Sequence, residues 1–416
     1  MAKSAEELYE ERLKRSLDAM QLKLPDTVPV IPIIQAFPMY YAGITIQESM
    51  EDISKAAEAW DKFLADFDPD MTQGPLLSLP AKVMERLDLR WFKWPGHGLP
   101  ASKMYQYVEG EYMKADEYDE FVFDPTHFML TKWLPRTLGA LEGLSKLPLI
   151  RDAMWFGWFS IVGAFGLPEV REAFETLTDA AEELAKYNAA CAAYVEKMKK
   201  MGFPSSYGGF SWAPFDLVGD TLRGSHGIMT DMFRRPDKLL KAIEKMIPIS
   251  IEMGVGPAIA SGIPLVWIWL HKGCAGFMSD EQFQKFYWPS LRALIMGCIE
   301  GGIIPVVYCE GDYTPRLEHI KDVPRGKVVY HFERIDMIKA KEALGGIACI
   351  MGGLPNSLLV LGTTEEVKEY CKWLIDTAGK DGGYIMASGA LVDEAKPENL
   401  KTMFDFTHEY GYEVYT

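Results

Sequence analysis

The chain has 416 residues, 48% of them hydrophobic, and its 59 acidic and 43 basic residues give a formal net charge of −16. This composition excludes a disordered chain, and without a basic stripe nucleic acid is not expected as a partner. The longest apolar runs are too short to span a bilayer, so no membrane association is expected. Six scattered cysteines without C-x-x-C spacing, and no secretory signal, predict reduced thiols and a cytoplasmic protein.

The N-terminal part begins with an amphipathic pattern over residues 1–24, in which Leu8, Leu13, Leu17 and Met20 recur at helical spacing. We interpret this helix as a packing or dimer helix. A strand is predicted at 28–33, where the prolines suit a strand start or a barrel rim. A helix over 46–66 and a short strand near 68–71 follow.

From residue 206 onward, predicted strands and helices alternate regularly. The strands lie at 206–210, 265–271, 303–309, 328–332, 347–352 and 384–388, and the helices at 236–261, 280–300, 336–344, 364–378 and 397–410. With the two early strands this makes eight, the pattern of an α/β protein with a (β/α)8 TIM barrel.

The stretch from residue 91 to 202 is too long for an ordinary connection between strands 2 and 3. It predicts a long helical insertion, with one helix from 168 to 201, that covers the barrel mouth. No internal repeat or low-complexity linker divides the sequence. We therefore predict one domain over 1–416.

Carboxylate and imidazole side chains stand where three predicted strands end. Strand alternation places Tyr308 and Glu310 on one face of the strand at 303–309, and His331 and Glu333 on one face of the strand at 328–332. His271 lies on the corresponding face of the strand at 265–271. The carboxyl ends of parallel barrel strands face the reaction site. A set of this kind could hold Zn²⁺ with one position open for a substrate. The alternatives are a salt-bridged Glu310 and a hydrogen-bonded, structural His331.

Four further residues are candidates for the site. Tyr308 either donates a hydrogen bond to a substrate or fills the barrel as a core aromatic. His97 lies in a turn, and the choice between a substrate-facing role and a plain surface loop stays open. Asp216 and Arg223 follow the third strand, in a loop of the catalytic face. Their alternative is to pair with each other.

Several short motifs occur in the second half of the chain: Trp212-Ala213-Pro214-Phe215-Asp216, Glu310-Gly311-Asp312, Gly352-Gly353-Leu354-Pro355, Gly382-Gly383-Tyr384-Ile385 and Lys396-Pro397-Glu398-Asn399. With these motifs the chain resembles the uroporphyrinogen decarboxylase superfamily, which includes the decarboxylase and zinc-containing methyltransferases that work with corrinoid proteins. The decarboxylase itself carries an arginine motif after its first strand. Residues 35–43 contain no arginine, so an anionic porphyrinogen would lack counter-charges, and the resemblance favours the methyltransferase branch.

The chain also departs from that branch. The resemblance implies a His-x-Cys pair after the strand at 303–307 and a cysteine after the last strand, but Tyr308, Glu310 and Ala390 stand there. Any zinc would then be held by Glu310, His331, His271 and Glu333. Oxygen and imidazole ligands leave zinc more electrophilic toward an oxygen atom than thiolates do.

The function implied by the resemblance is a substrate-side methyltransferase of an anaerobic O-demethylation system. Zinc would polarise the oxygen of a small methyl ether while a reduced corrinoid (cobalamin) takes the methyl group. The chain has no Asp-x-His-x-x-Gly pattern, so the corrinoid would arrive on a partner protein. Glu310, Tyr308 and Asp216 are the predicted catalytic residues. Predicted substrate contacts are His97, Trp212, Arg223 and Trp269, whose aromatic members suit an aryl ether.

Two alternatives stay open. One is a metal-free decarboxylase of a smaller acid, in which Asp216 or Glu310 moves protons. The other is a corrinoid-binding or tetrapyrrole-binding protein without turnover. The oligomeric state is also open, with a homodimer as one option.

Overall fold

A closed parallel barrel forms the centre of the protein. The computed structural model describes residues 3–73 and 78–416. Six parallel strands are hydrogen-bonded side by side in chain order. They are Gly209–Trp212, Leu265–Leu270, Ile304–Asp312, Val329–Arg334, Cys349–Gly352 and Tyr384–Ile385. All six predicted strands of the second half are present, which confirms the barrel assignment for this part of the chain.

The first two staves of the barrel are shorter than predicted. Val30 forms a parallel bridge to Met386, and Thr72 forms one to Ser205. The backbone N–H of Asp70 donates to the carbonyl of Val30, which joins the two staves and closes the ring of eight. Pro29 and Pro32 lack a backbone donor, so this part of the chain forms isolated bridges and not a continuous ladder.

The N-terminal helix closes the amino end of the barrel. It spans Ala5–Met20, and its Ala19 and Met20 are buried with Ile31, Val306 and other interior residues in one cluster. This confirms the packing role. The other helices before the insertion are Phe37–Ala42, Ile46–Glu51 and Ile53–Phe67. The helix predicted over 46–66 is therefore two helices, because Asp52 adopts an extended conformation and caps the second through the N–H of Ser54.

The insertion between the second and third staves is helical, as predicted. A small three-stranded sheet of Phe92–Pro95, Gly98–Leu99 and Gln106–Tyr107 opens it. The helices of this region are Ala81–Arg86, Tyr118–Phe123, Pro125–Phe128, Leu134–Thr137, Trp158–Phe165 and Pro168–Lys200, with a π-helical turn at Met129–Trp133 and 3₁₀ turns at Gly139–Lys146 and Ile150–Ala153. The last helix agrees with the prediction of 168–201.

Helices alternate with the later strands and cover the barrel. They are Pro214–Asp216, Gly224–Arg234, Pro236–Ser261, Asp280–Gln282, Trp288–Glu300, Leu317–Ile320, Met337–Leu344, Asn356–Leu361, Thr364–Leu374 and Pro397–Tyr415. π-helical turns at Leu217–Arg223, Phe283–Tyr287 and Ile375–Gly379, and a 3₁₀ turn at Thr314–Arg316, adjoin six of them. Within the described ranges, we find no helix with the length and apolar character needed to cross a membrane.

Two apolar layers make up the core. The interior layer contains Trp267, Val306, Tyr308, Val329 and Met351, which point inward from successive strands. The larger layer lies between the strands and the surrounding helices. The inward positions alternate along each strand as predicted, so the side chains that follow them at the carboxyl ends belong to the barrel mouth.

Candidate active site at the barrel mouth

Six charged side chains gather where the barrel strands end. Two come from the helical turns after Gly209–Trp212, two directly follow Leu265–Leu270, and two stand near the ends of the next two strands. We call them the mouth cluster: Asp216, Asp220, His271, Lys272, Glu310 and Glu333. The carboxyl ends of four neighbouring staves therefore contribute to one site.

Asp220 binds both cationic members of the mouth cluster. Its Oδ2 lies 2.6 Å from Nδ1 of His271, and its Oδ1 accepts a hydrogen bond from Nζ of Lys272. Burial alone would lower the pKa of His271, but the hydrogen bond and charge of Asp220 raise it to about 9. His271 is therefore an imidazolium at neutral pH. Its Nε2–H has no hydrogen-bond partner among the described residues and remains free for a ligand.

Asp216 fixes the turn that carries these cations. Its carboxylate accepts hydrogen bonds from the backbone N–H of His271 at 2.9 Å, the backbone N–H of Lys272 at 3.1 Å and the hydroxyl of Tyr287 at 2.5 Å. Burial, with the charge of Asp220 added, raises its pKa to about 6. Asp216 was predicted to be catalytic, and the structure places it at the site, where both its oxygens hold the backbone in position.

The two glutamates differ in their contacts. Glu333 accepts a hydrogen bond of 2.6 Å from the backbone N–H of Gly311. Gly311 has a φ of 81°, and the ladder is irregular between Cys309 and Asp312, so a bulge turns the chain directly beside Glu310. Glu310 is half-buried and accepts no hydrogen bond from the described residues. Burial raises its pKa; the charge of His271 opposes this, and that of Glu333 adds to it.

An aromatic floor lies beneath the mouth cluster. Ring centroids are 5.9 Å apart for Trp267 and Trp269, 5.1 Å for Trp269 and Tyr308, and 4.9 Å for Tyr308 and His331. Trp212 stands beside Trp269 in the sheet register. The predicted aromatic side chains Trp212, Trp269 and Tyr308 are thus brought together. Tyr308 is buried. It therefore fills the barrel as a core aromatic, which was the alternative to a hydrogen bond with a substrate.

Three of the four predicted zinc ligands have separate partners. His331 is buried and neutral, since burial lowers its pKa to about 4, and its Nε2 lies 2.7 Å from the carbonyl of Ser388. His271 pairs with Asp220, and Glu333 with the backbone of Gly311. In residues 3–73 and 78–416, no three His, Cys, Asp or Glu side chains are placed to hold a metal ion. The set as placed does not fit a zinc centre, and zinc stays a prediction.

Two predicted substrate contacts lie outside the mouth cluster. His97 is in the insertion, where Nε2 lies 2.8 Å from Oε1 of Glu85 and the ring stacks on Trp94 at 4.5 Å. Arg223 is buried. It forms ion pairs with Asp231 at 2.7 Å and with Glu111, not with Asp216. The alternative that paired Arg223 with Asp216 is wrong because Asp216 is occupied by backbone donors and Tyr287.

Sequence reasoning missed Asp220, Lys272 and Tyr287. The first two carried a signal: Asp220 is four residues after Asp216, one helical turn on, and Lys272 directly follows His271 at a strand end. Tyr287 carried none. It lies in the middle of a long helical pattern, where an aromatic residue is expected to be a packing residue.

Comparisons with known proteins agree with this architecture. The family model described as uroporphyrinogen decarboxylase (URO-D) matches residues 167–410, more than half of the chain. A solved structure described as a methyltransferase from Methanosarcina mazei is similar at a TM-score of 0.61 and 15% sequence identity, covering 95% of this chain and 98% of the other. No curated protein matches. The structural match establishes a shared fold.

Proposed function

Since the chain belongs to the uroporphyrinogen decarboxylase family, we propose that its mouth cluster transfers a methyl group from a small aryl methyl ether to a corrinoid carried on a partner protein. The similar fold of a methyltransferase from Methanosarcina mazei supports the choice of methyl transfer. The observation that carries the proposal is His271, held as an imidazolium by Asp220 at the mouth of a closed barrel.

The residues of the chain supply the proton that demethylation of an ether requires. The reduced corrinoid supplies the electron pair that accepts the methyl group. When the methyl–oxygen bond breaks, the bonding electrons stay on oxygen, and Nε2–H of His271 donates its proton to that oxygen. The products are a hydroxyl compound and a neutral His271, which regains its proton from solvent. Asp220 keeps the ring oriented throughout through Nδ1.

The pKa of His271 suits a phenolic leaving group. A phenol such as that of tyrosine has a pKa near 10, and His271 has a pKa of about 9. Proton transfer to a departing phenolate is therefore slightly favourable, whereas an aliphatic alkoxide would leave far less readily. Trp269 is only partly buried and offers a ring against which an aryl group can stack, with Tyr308 packed behind it.

The charge of the mouth cluster favours a neutral donor over an acid. Four carboxyl groups, Asp216, Asp220, Glu310 and Glu333, face two cationic groups, and Asp220 already binds both of these. A substrate carboxylate would meet like charges, which is unfavourable for the alternative of a decarboxylase acting on a smaller acid. A phenolic hydroxyl, by contrast, can donate to Glu310, which accepts no hydrogen bond from the described residues.

The experiment is a methyl-transfer assay of the full chain with reduced cobalamin and a panel of methoxylated aromatics, thioethers and methylamines. We expect transfer from an aryl ether, and a loss of kcat of about 100-fold or more in the His271→Gln variant, which keeps the size but cannot act as an acid. His226 is an exposed histidine on the helix Gly224–Arg234 and provides the matched control, since His226→Gln should leave kcat unchanged.

Zinc is measured on the same preparation. Unchanged kcat in His271→Gln would refute proton donation by this residue. Stoichiometric zinc, whose removal abolishes transfer in the otherwise intact protein, would show that a metal activates the ether oxygen, as the sequence predicted. Carbon dioxide release from a small acid, with no methyl transfer from any donor, would replace the proposal by the decarboxylase alternative.

A further inference from the structure

A second group of polar side chains lies across the barrel mouth from His271. Gln35 follows the first stave, and Asp393 follows the eighth. A parallel bridge between Ile34 and Val392 joins the two stave ends, and the backbone N–H of Gln35 donates to the carbonyl of Val392 at 3.2 Å. His271 follows the fourth stave, four positions from the eighth. In a ring of eight staves this is the opposite side.

The insertion places Tyr105 over this second group. The carbonyl of Ala101 accepts a hydrogen bond of 3.1 Å from the backbone N–H of Gln47. The carbonyl of Ser102 accepts one of 2.5 Å from the hydroxyl of Tyr40. These bonds tie the segment before Tyr105 to the two helices that come directly after the first stave. The insertion therefore contributes a side chain to the mouth at this point.

The hydroxyl of Tyr105 faces the mouth. Tyr105 is 41% exposed, yet burial is the main cause that raises the pKa of its hydroxyl, so the hydroxyl is the enclosed end of the side chain. A hydrogen bond with Gln35 lowers this pKa, and the charges of Glu310 and Asp393 raise it. The charge of Glu310 also acts on His271. One carboxylate thus lies within electrostatic range of both side chains, which places His271 and Tyr105 around one space.

The hydrogen-bonding groups left over on this side match a hydroxyl. Gln35 lowers the pKa of Tyr105, as a donor to the phenolic oxygen does, so the O–H of Tyr105 is left for a ligand. Asp393 accepts the backbone N–H of Ala36 at 3.1 Å through Oδ1, and no described residue donates to its Oδ2. A hydroxyl accepts from Tyr105 and donates to Asp393. A carboxylate would instead meet the charges of Asp393 and Glu310, and an alkyl group would leave both groups unpaired.

An eight-stranded barrel has room for one small ligand, and an aryl ring carries substituents at opposite ends. We propose that Tyr105 and Asp393 bind a phenolic hydroxyl of the methyl donor, on the side of the ring opposite the methoxyl group, which makes the donor a 4-methoxyphenol. This inference rests on the proposed function, which places the methoxyl group at His271. Tyr105 and Asp393 select the donor, and His271 supplies the proton.

Isothermal titration calorimetry of the full chain without cobalamin tests this site. The probes are 4-methoxyphenol, 4-methylanisole, in which a methyl group replaces the hydroxyl, and 2-methoxyphenol, in which the hydroxyl stands beside the methoxyl group. We expect Kd for 4-methoxyphenol to be lower than for the other two by about 10-fold or more, because the analogues leave a donor and a charged acceptor unpaired. In Tyr105→Phe and Asp393→Asn this preference should fall by about 3-fold or more. Tyr412 is 58% exposed on the C-terminal helix, and Tyr412→Phe, the matched control, should keep the preference.

The outcomes separate this site from the proposed function. Equal affinity for 4-methoxyphenol and 4-methylanisole, or tightest binding of 2-methoxyphenol, would overturn the hydroxyl site, as would no binding of any probe. A preference that both site variants retain would place the hydroxyl elsewhere and would equally overturn it. Methyl transfer to reduced cobalamin is measured separately with the same compounds. Preferred binding of 4-methoxyphenol without transfer would refute methyl transfer and support the hydroxyl site, whereas transfer without the preference would refute the hydroxyl site alone.

Discussion

At the scale of single residues, His271 and Asp216 give the activity a defined pH range. The proton donor must be charged, and the pKa of His271 is about 9, so this requirement is met below that value and lost above it. Asp216, with a pKa of about 6, holds the turn through three donors only as a carboxylate, hence above that value. We predict that a plot of kcat/KM against pH is bell-shaped, with limbs near 6 and 9. A profile that is flat from pH 6 to 10 would contradict this assignment.

Asp220 sets the position of the alkaline limb. Burial favours neutral His271, and the hydrogen bond and charge of Asp220 reverse this. In Asp220→Asn the charge is removed, so we predict that the alkaline limb moves down by more than about one pH unit while the acidic limb is still present. Glu318→Gln is the control, since this exposed carboxylate pairs with Lys321 and should leave both limbs in place.

Single residues also show what the sequence could and could not reveal about the site. Strand alternation correctly placed Tyr308 and Glu310 on the inward face, because the period of two holds for any strand. The partner of each polar group was not predictable. His331 bonds to a carbonyl 57 positions away, and that contact depends on how the last stave packs. A buried histidine and a metal ligand look alike in sequence.

At the scale of elements, Asp70 joins three parts of the barrel. Its carboxylate lies 2.5 Å from Nη1 of Arg15 on the N-terminal helix, 2.7 Å from the backbone N of Val30 and 2.9 Å from Nε2 of His408 on the C-terminal helix. Asp70→Asn removes the charged acceptor of three donors, while Arg15 keeps its ion pairs with Asp26 and Glu11. We predict a loss of about 1.5 to 3 kcal/mol in the free energy of unfolding, measured with urea at pH 7.

The same carboxylate predicts acid sensitivity. Burial alone would raise the pKa of Asp70, but the charges of His408 and Arg15 lower it to about 2, below the usual range of an aspartate. Its contribution to stability is therefore present above about pH 4 and is lost as the pH falls toward 2. The difference in unfolding free energy between the unaltered chain and Asp70→Asn should shrink over that range. Asp405→Asn, at an exposed pair with Lys401, should cost less than about 1 kcal/mol at pH 7.

Element boundaries were predictable where local signals decide them. The helix Pro236–Ser261 was placed to the residue, since Pro236 suits a first turn and Gly262 follows its end. Thr363 forms a capping box with Glu366 at the start of the helix Thr364–Leu374. The π-helical turns, such as Phe283–Tyr287, carry no local signal, because an extra residue in a helix is accommodated by tertiary packing.

At the scale of the whole molecule, the count of eight staves was predictable and the surface of the insertion was not. Alternation of strands and helices indicates a parallel α/β protein, and the count of eight strands is that of a closed barrel. Residues 153–168, however, have the apolar pattern of a buried helix, and the sequence cannot show that they stay exposed. In the sequence, an exposed apolar segment looks the same as a core segment.

Arg223 makes the insertion and the barrel depend on each other. Its guanidinium binds Asp231 on the barrel side. The same group also binds Glu111 and the carbonyl of Met113 in the insertion. Tyr118 of the insertion also donates to Asp231, at 2.9 Å. Insertion and barrel residues share one apolar cluster, so a single domain predicts one cooperative unfolding transition in calorimetry.

Arg223→Ala should lower the midpoint of that single transition by about 2 to 4 °C, because the buried Asp231 loses one of its two cations and keeps Arg235, and should leave KM for the methyl donor unchanged. Arg86→Ala removes an exposed ion pair with Asp179 of the insertion and should shift the midpoint little. Two separate transitions would show that the insertion is a second folding unit. A raised KM with an unchanged midpoint would instead support the prediction that Arg223 binds the substrate. A residue that binds only the ligand leaves the unfolding of the free protein unaffected.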